Sequence, residues 1–406
     1  VKEGSDMKIL NLESVGFRSL KNISWVPGNL NVVIGPNGAG KSNLLKLIEL
    51  ISISAKGGLG KHIQKSGGME SLVWDGMENE IRFKIKLSPV DEFRDIARDS
   101  LTYELVLQRI GKTSSYRVSY ELLANFFRVE QGERQNPFKF LERTSSSAVT
   151  FDPTENGLKA PDESVSEDES LLSLSSGPLS FNYNPIIPQF RSRVSEWVIY
   201  HDIYVNQDAP IRQAATTKFE KRVSSDGQNL ISVLHTLYTS DRDFKKEINS
   251  AMRAAFGNDF DELIFPPAAD QRTQLRIRWK TLQKEQSAAD LSDGTLRFLF
   301  LLTVLSSPDP APLIAIDEPE TGLHPSMLPI VAEFAAEASK KALVIFTTHS
   351  PQFLDAFAEF CPHTTVAKWA NGETELKVLA GEKLDYWLKE YSLGSLFKTG
   401  ELEGME

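Results

Sequence analysis

A single cysteine, Cys361, stands among 406 residues, so the chain cannot build a disulfide framework or a cysteine-based zinc site. A reducing compartment is the natural setting for such a sequence. No uninterrupted apolar run reaches the roughly 18 residues a membrane helix needs, and the opening VKEGSDMKIL lacks the apolar core of a secretory signal. No membrane partner is expected, and a cytoplasmic location is. Positive charge is not in excess either: the net charge of -10 excludes wholesale coating of nucleic acid, while leaving a local basic patch open. Internal repeats are absent. Against these absences, 41% apolar side chains suffice for a large core and two or three domains. Met7 directly precedes the first strand-like run, so Val1 to Asp6 read as a dispensable leader or an upstream-start artefact.

From Met7 to Gly35 the runs KILNLESVGF, NISWV and NLNVVIG are strand-like, with Pro27-Gly28 among the turn residues between them. IGPNGAGKSN follows, and SNLLKLIELISIS after it has helical spacing at Leu44, Leu45, Ile48 and Ile51. Farther on, NEIRFKIKL, TYELVLQRI and SYRVSYELL alternate apolar with polar residues and predict an antiparallel meander. Residues 150–180 turn to Ser, Asp, Glu, Pro and Gly, and read as a mobile, solvated insertion. Helical spacing returns from about Ala209 to Phe256, too short for a long coiled coil, and QLRIRWKTL then places Arg276, Arg278 and Lys280 on one side. LRFLFLLTVL predicts a buried helix, and PLIAID and ALVIFTTHS predict strands of a parallel sheet. The fold class is therefore α/β, a core split by a long insertion.

The chemistry concentrates in four stretches. In IGPNGAGKSN, Gly35, Gly38 and Gly40 let successive amides approach a phosphate while the next helix aims its N-terminus at the same anion. Pro36, Asn37, Ala39 and Asn43 complete the cradle. Lys41 reaches the β and γ phosphates, and Ser42 can ligate Mg²⁺. In LIAIDEPETGLHP, Asp317 closes an apolar strand and can hold Mg²⁺ through water, leaving Glu318 to activate the attacking water as general base. In DLSDGTLRFL, Ser292, Asp293 and Gly294 precede a helix, where they either cap it or form a second anion site. In FTTHS, His349 is either a satisfied core histidine or a contact to a γ-phosphate and its water.

Taken in this order, GPNGAGKSN, LSDGTLRFL, LIAIDEPETGLHP and TTHS resemble the Walker A, signature, Walker B with D-loop, and switch-histidine motifs of ABC-class ATPases. The resemblance is closest to the SMC, RecF and OLD branch, and within it to compact bacterial AAA-domain ATPases without a fused Toprim nuclease. GFRSLKN adds to the likeness and implies that Arg18 and Ser19 lie near the nucleotide. The resemblance covers roughly residues 7–50 and 288–351.

It implies an ABC-type head, in which an antiparallel meander joins a parallel core, interrupted by a partly helical insertion. The expected division is 1–149 as the N-terminal lobe with Walker A and meander, 150–184 as a flexible acidic segment, 185–287 as a helical arm, and 288–406 as the C-terminal lobe. The resemblance further implies a homodimer formed head to head on ATP, with Ser292, Asp293 and Gly294 completing the site of the other copy, and Glu318, His349 and Lys41 carrying hydrolysis. Departures bear on the reading. Asp293 replaces the glycine usual in transporter signatures, which weakens the alternative of a transporter's nucleotide-binding subunit. The Mg²⁺-sensing glutamine has no decisive counterpart, Gln64 being the candidate. DNA repair or maintenance and anti-phage defence are the expected settings, with a separately encoded nuclease or toxin as effector; an ATP-binding scaffold that sequesters an effector is the remaining alternative. Arg242, Lys245 and Lys246 form a second basic cluster, so nucleic acid remains open as a partner. The aromatic tail YWLKEYSLGSLFKTGEL either docks a partner or packs on its own domain.

Overall fold

Alternation decides the first sheet. In Glu80–Leu87 the residues Ile81, Phe83, Ile85 and Leu87 are buried, whereas Glu80, Arg82, Lys84 and Lys86 lie on the other side, as a two-residue period requires. A computed structural model describes residues 8–88, 98–111, 114–127, 137–160, 165–175, 184–379 and 392–401. Val1 to Asp6 and the first part of the aromatic tail, Tyr386 to Tyr391, fall outside the described residues. The chain divides into two compact units, one of residues 1–27, 37–197 and 367–378, the other of 28–36, 198–366 and 379–406.

In the first unit, β1 (Ile9–Phe17) and β2 (Leu20–Trp25) form a hairpin. β3 (Leu30–Ile34) belongs to the second unit and feeds α1 (Lys41–Lys56). Next come α2 (Leu59–Lys65) and α3 (Met69–Leu72). The meander continues through β4 (Glu80–Leu87), β5 (Arg98–Arg109), β6 (Tyr116–Phe127), β7 (Phe138–Arg143), β8 (Ala148–Asp152) and β9 (Gly157–Lys159). All pair antiparallel, in the order β2-β1-β4-β5-β6-β7-β8-β9. α1 buries Leu44, Leu45, Leu47, Ile48, Leu50 and Ile51, each such aliphatic contributing about 1.5–3 kcal/mol. It ends at Gly57, whose N–H bonds back to the Ile53 carbonyl.

Of the stretch expected to be a solvated insertion, the described residues 150–160 and 165–175 include regular structure. β8 crosses its start, and Leu171 and Leu172 of α4 (Leu171–Leu174) are buried. The fully buried Glu121 explains this: its carboxylate accepts the Leu171 and Leu172 amides at 2.6 and 2.9 Å and the Tyr103 hydroxyl at 3.0 Å. Ser170 caps the same helix by accepting from Ser173 N–H. α5 (Ile186–Ser195) then closes the unit.

Burial raises the Glu121 carboxyl above its usual range, against the lowering effect of those hydrogen bonds. A raised folded-state value gives stability that is present below the ordinary carboxylate pKa and lost as pH rises through the folded one. The thermal midpoint should therefore fall more steeply from mildly acidic to neutral pH in the parent than in Glu121→Gln. Parallel slopes would refute this.

The second unit is built on parallel strands. β10 (Val198–Tyr200), β17 (Leu313–Asp317), β18 (Leu343–Thr348), β3 and β19 (His363–Ala370) run in that order, each neighbour parallel. Between β10 and β17 lie β11 (Ala215–Thr216), α6 (Leu230–Ser240), α7 (Arg242–Phe256), β12 (Phe260–Ile264), β13 (Pro267–Ala268), β14 (Arg272–Thr273), β15 (Arg276–Trp279), β16 (Gln286–Ser287) and α8 (Asp293–Leu305). α9 (Leu328–Ala338) joins β17 to β18, and α10 (Pro351–Asp355) follows β18. β20 (Glu373–Val378) returns to the first unit, and α11 (Leu393–Lys398) belongs to the second.

Helix starts only at Leu230, not near Ala209: the intervening TTKFEKRVSSDGQN offers no apolar stripe, and Gly227 takes a left-handed φ of 71°. α8 buries Leu296, Phe298, Leu299, Phe300, Leu301 and Leu302 in one core with Ile314, Ile316 and Phe346 of the sheet. On β15 the basic stripe is largely neutralised. Arg278 reaches Glu262 at 2.7 Å and Glu285 at 2.9 Å, and Arg276 stands 4.0 Å from Glu285.

Candidate active site

Parallel pairing brings the chemistry to one edge. Tyr200 is in register with Ile316, Asp317 with Thr347, and Thr348 with Ile34, so the residues that follow each strand emerge together at the carboxyl end of the sheet. His201, Asp317, Glu318, His349 and the start of the glycine loop at Gly35 all leave from this edge.

The loop bridges β3 and α1. Gly38 and Gly40 have φ of 84° and 93°, left-handed values that a side chain strains to adopt. At Gly40 space is also lacking, since an added Cβ would stand 1.9 Å from Thr374 Oγ1 and 2.7 Å from Ser19 Oγ. Pro36, Asn37 and Gly38 are exposed, Ala39 and Lys41 are buried, and Ser42 and Asn43 are half-buried. No side chain caps the α1 N-terminus. Its first-turn amides are oriented for an anion, as bare helix starts are. Ser19 braces the loop: its Oγ accepts from Asn43 Nδ2 and from Thr374 Oγ1, both at 2.7 Å. Arg18 beside it has a left-handed φ of 49°, its N–H bonds to the Leu72 carbonyl at 2.7 Å, and burial lowers its guanidinium pKa.

On the sheet edge the two adjacent carboxylates diverge. Asp317 accepts from Thr347 Oγ1, and its other oxygen lies 4.0 Å from His201 Nδ1. Glu318 turns away on a left-handed backbone, φ 45°, while its N–H holds the Thr347 carbonyl at 3.0 Å. Its Oε1 meets His349 Nδ1 at 3.0 Å. His349 is exposed, so the core-histidine alternative falls. Glu320 accepts from Thr348 Oγ1, and burial, with Glu318 adding to it, raises its carboxyl pKa.

At the α8 N-terminus, Ser292 is the cap, accepting from Thr295 N–H at 3.1 Å. Asp293 pairs with Arg212. Gly294 packs against the turn after Glu318: an added Cβ would sit 2.5 Å from the Gly322 carbonyl oxygen. Backbone cannot yield cheaply there. Gly294→Ala should lower the unfolding free energy by about 1–3 kcal/mol, read from the denaturant midpoint, and an unchanged midpoint would disprove the close approach.

Gln64 is an exposed residue of α2. It belongs to the first unit, whereas Asp317 and Glu318 belong to the second. Within the second unit His201 stands beside Asp317, and sequence reasoning passed it over. WVIYHD has the same form as LIAIDE and LVIFTTHS, an apolar run ending in polar residues, and that likeness marks His201 as a strand-end residue without naming its neighbour. Glu320 and Thr347 also went unassigned. Their contacts depend on the pairing of β17 with β18, which the sequence does not print.

The family described as "AAA domain, putative AbiEii toxin, Type IV TA system" matches residues 30–355. No curated protein matches the chain. Among solved structures, an Smc head bound to the C-winged helix domain of ScpA aligns with a TM-score of 0.53 at 15% identity, over 93% of this chain and 99% of that one. An Smc head with an extended coiled coil, bound to the C-terminal domain of ScpA and derived from Pyrococcus furiosus, gives 0.51 at 14% identity, over 94% and 98%. Identities this low speak for the fold, which is the mixed α/β fold of an ABC-type P-loop ATPase head. Among the described residues no helix is long and apolar enough to cross a membrane.

Proposed function

We propose, from the premise that the chain belongs to this AAA-domain family and has the fold of an Smc head, that it binds Mg-ATP, hydrolyses it, and pairs head to head with a second copy while ATP is bound. The observation that carries the reading is the 3.0 Å contact of Glu318 with His349 at the sheet edge from which the glycine loop starts. A general base needs a partner that orients it, and a hydrolytic site needs that base where phosphate is held.

The loop amides and Lys41 take the phosphates. Mg²⁺ supplies charge neutralisation, and the hard oxygen donors suited to it are the Ser42 hydroxyl and, through water, the Asp317 carboxylate. The hydroxyl of Thr347 fixes the Asp317 oxygen that faces away from His201. Glu318 accepts a proton from water attacking in line with the γ-phosphate, and His349 holds the Glu318 carboxylate in place. In the pair, Ser292 and Gly294 of one copy meet the γ-phosphate held by the other, the α8 N-terminus adding its dipole, while Asp293 between them keeps its carboxylate on Arg212.

Glutamates neutralise Arg276 and Arg278, so β15 offers little free positive charge to nucleic acid. The family's description names a toxin of a type IV system. That favours a defence setting in which ATP-driven pairing controls a separately encoded effector. The test is the solution mass of Glu318→Gln. It should double on Mg-ATP, and a single-chain mass at saturating Mg-ATP would sink the pairing.

A further inference from the structure

We infer that Arg212 is the positioning residue that fixes the Ser292–Gly294 segment to the chain leaving β10, an inference that rests on the reading of that segment as acting on a second copy's ATP. Arg212 closes the short turn Pro210–Arg212 and is 7% exposed, so its guanidinium has left water. A buried cation is tolerable only where its donors are matched. Here all three nitrogens are. Nε donates to the carbonyls of Val205 at 2.6 Å and Asn206 at 3.1 Å. Nη1 donates to the carbonyls of Ala288 at 3.2 Å, Ala289 at 3.4 Å and Leu291 at 2.6 Å, and Nη2 donates to Asp293 Oδ1.

One planar fork thus holds two stretches that are remote in sequence. The first begins at His201, beside Asp317, and the second runs straight into Ser292, the cap of α8. Five of the six acceptors are main-chain carbonyls, so the arginine fixes the path of the backbone and not merely one side chain. The fork is itself held. Arg212 N–H bonds to the Ala209 carbonyl at 3.0 Å, and Ile211 N–H bonds to Gln228 Oε1 at 3.2 Å. Preorganisation of this kind is what an arginine offers and a lysine, a point charge on a flexible stem, does not. The chain beside the metal carboxylate and the helix start offered to the partner copy are therefore joined through one side chain.

Arg212→Lys keeps the charge and loses the fork. In the full chain, amide exchange at 203–207 and 288–296 should quicken by about tenfold or more, with β17 and β18 unchanged. In the Glu318→Gln background, the affinity of the single chain for Mg-ATP should stay within about twofold while the dimer dissociation constant rises by about tenfold or more. Unchanged exchange overturns the inference, and so does quickened exchange with undiminished pairing. Should Glu318→Gln bind ATP and never pair, the pairing reading fails, and exchange alone then decides for or against Arg212 as the clamp. If Arg212→Lys does not fold, Asp293→Ser removes only the Nη2 partner, and the same exchange test applies to 292–296.

Discussion

Glu318→Gln is expected to lower ATP turnover by about 10²–10⁴-fold while the protein still binds and retains ATP. The substitution keeps size and shape, and the amide oxygen can still meet His349 where the carboxylate did, at 3.0 Å. What disappears is the capacity to take a proton from water. The backbone supports giving Glu318 this role. A φ of 45° at a residue with a full side chain is a strained conformation, and here it turns the carboxylate of Glu318 away from that of Asp317. Strain of that kind persists where the surroundings over-determine it, and the hold of Glu318 N–H on the Thr347 carbonyl at 3.0 Å is such a constraint. Single-turnover phosphate release measures the effect. Turnover at the parent rate would move the base elsewhere, with Glu320, the neighbouring buried carboxylate, first to be examined.

Much of this site was legible because its parts are local. The glycine loop needs only ten consecutive residues, and the alternation in EIRFKIKL or the apolar run LIAID names its own secondary structure. The parallel core followed from short apolar runs ending in polar residues, and the match to Smc heads agrees with it. Illegible were the features fixed by register. His201 comes beside Asp317 because β10 pairs with β17, and Thr347 reaches Asp317 because β17 pairs with β18. Nothing near His201 in the chain announces a carboxylate found over a hundred residues later. The same holds for Glu121, whose burial orders α4 inside a stretch that composition alone assigns to solvent. Composition reports average solvation. It misses one buried acceptor that two backbone amides can seek.

Gly294 and Arg212 show how the second unit ties its pieces together. The α8 start is held from one side by a guanidinium fork and from the other by a backbone approach to Gly322, in the turn that follows Glu318. Movement of that turn therefore cannot leave Ser292 indifferent. A change at the proposed base and a change at the α8 start proposed to face a second copy share a physical link of a few bonds.

Lys41→Ala is expected to act one step earlier, by removing ATP binding itself. Lys41 is buried and begins α1 directly after the left-handed Gly40, at a helix start that no side chain caps. An ammonium in that place meets phosphate with little water between them, and truncating one partner of such a charge pair costs about 2–5 kcal/mol. Affinity for ATP should then fall by roughly 30- to 4000-fold. Stability should hold, since alanine is the best helix former and Lys41→Met, which keeps the stem, controls for lost packing. Equilibrium dialysis with labelled ATP reads the affinity, and the solution mass shows whether pairing disappears with it. The contrast with Glu318→Gln is what gives the two variants their force: one should bind, pair and fail to turn over, while the other should fail at every step. Parent affinity in the Lys41→Ala variant would mean that the loop does not hold the phosphates, whatever the sheet edge does.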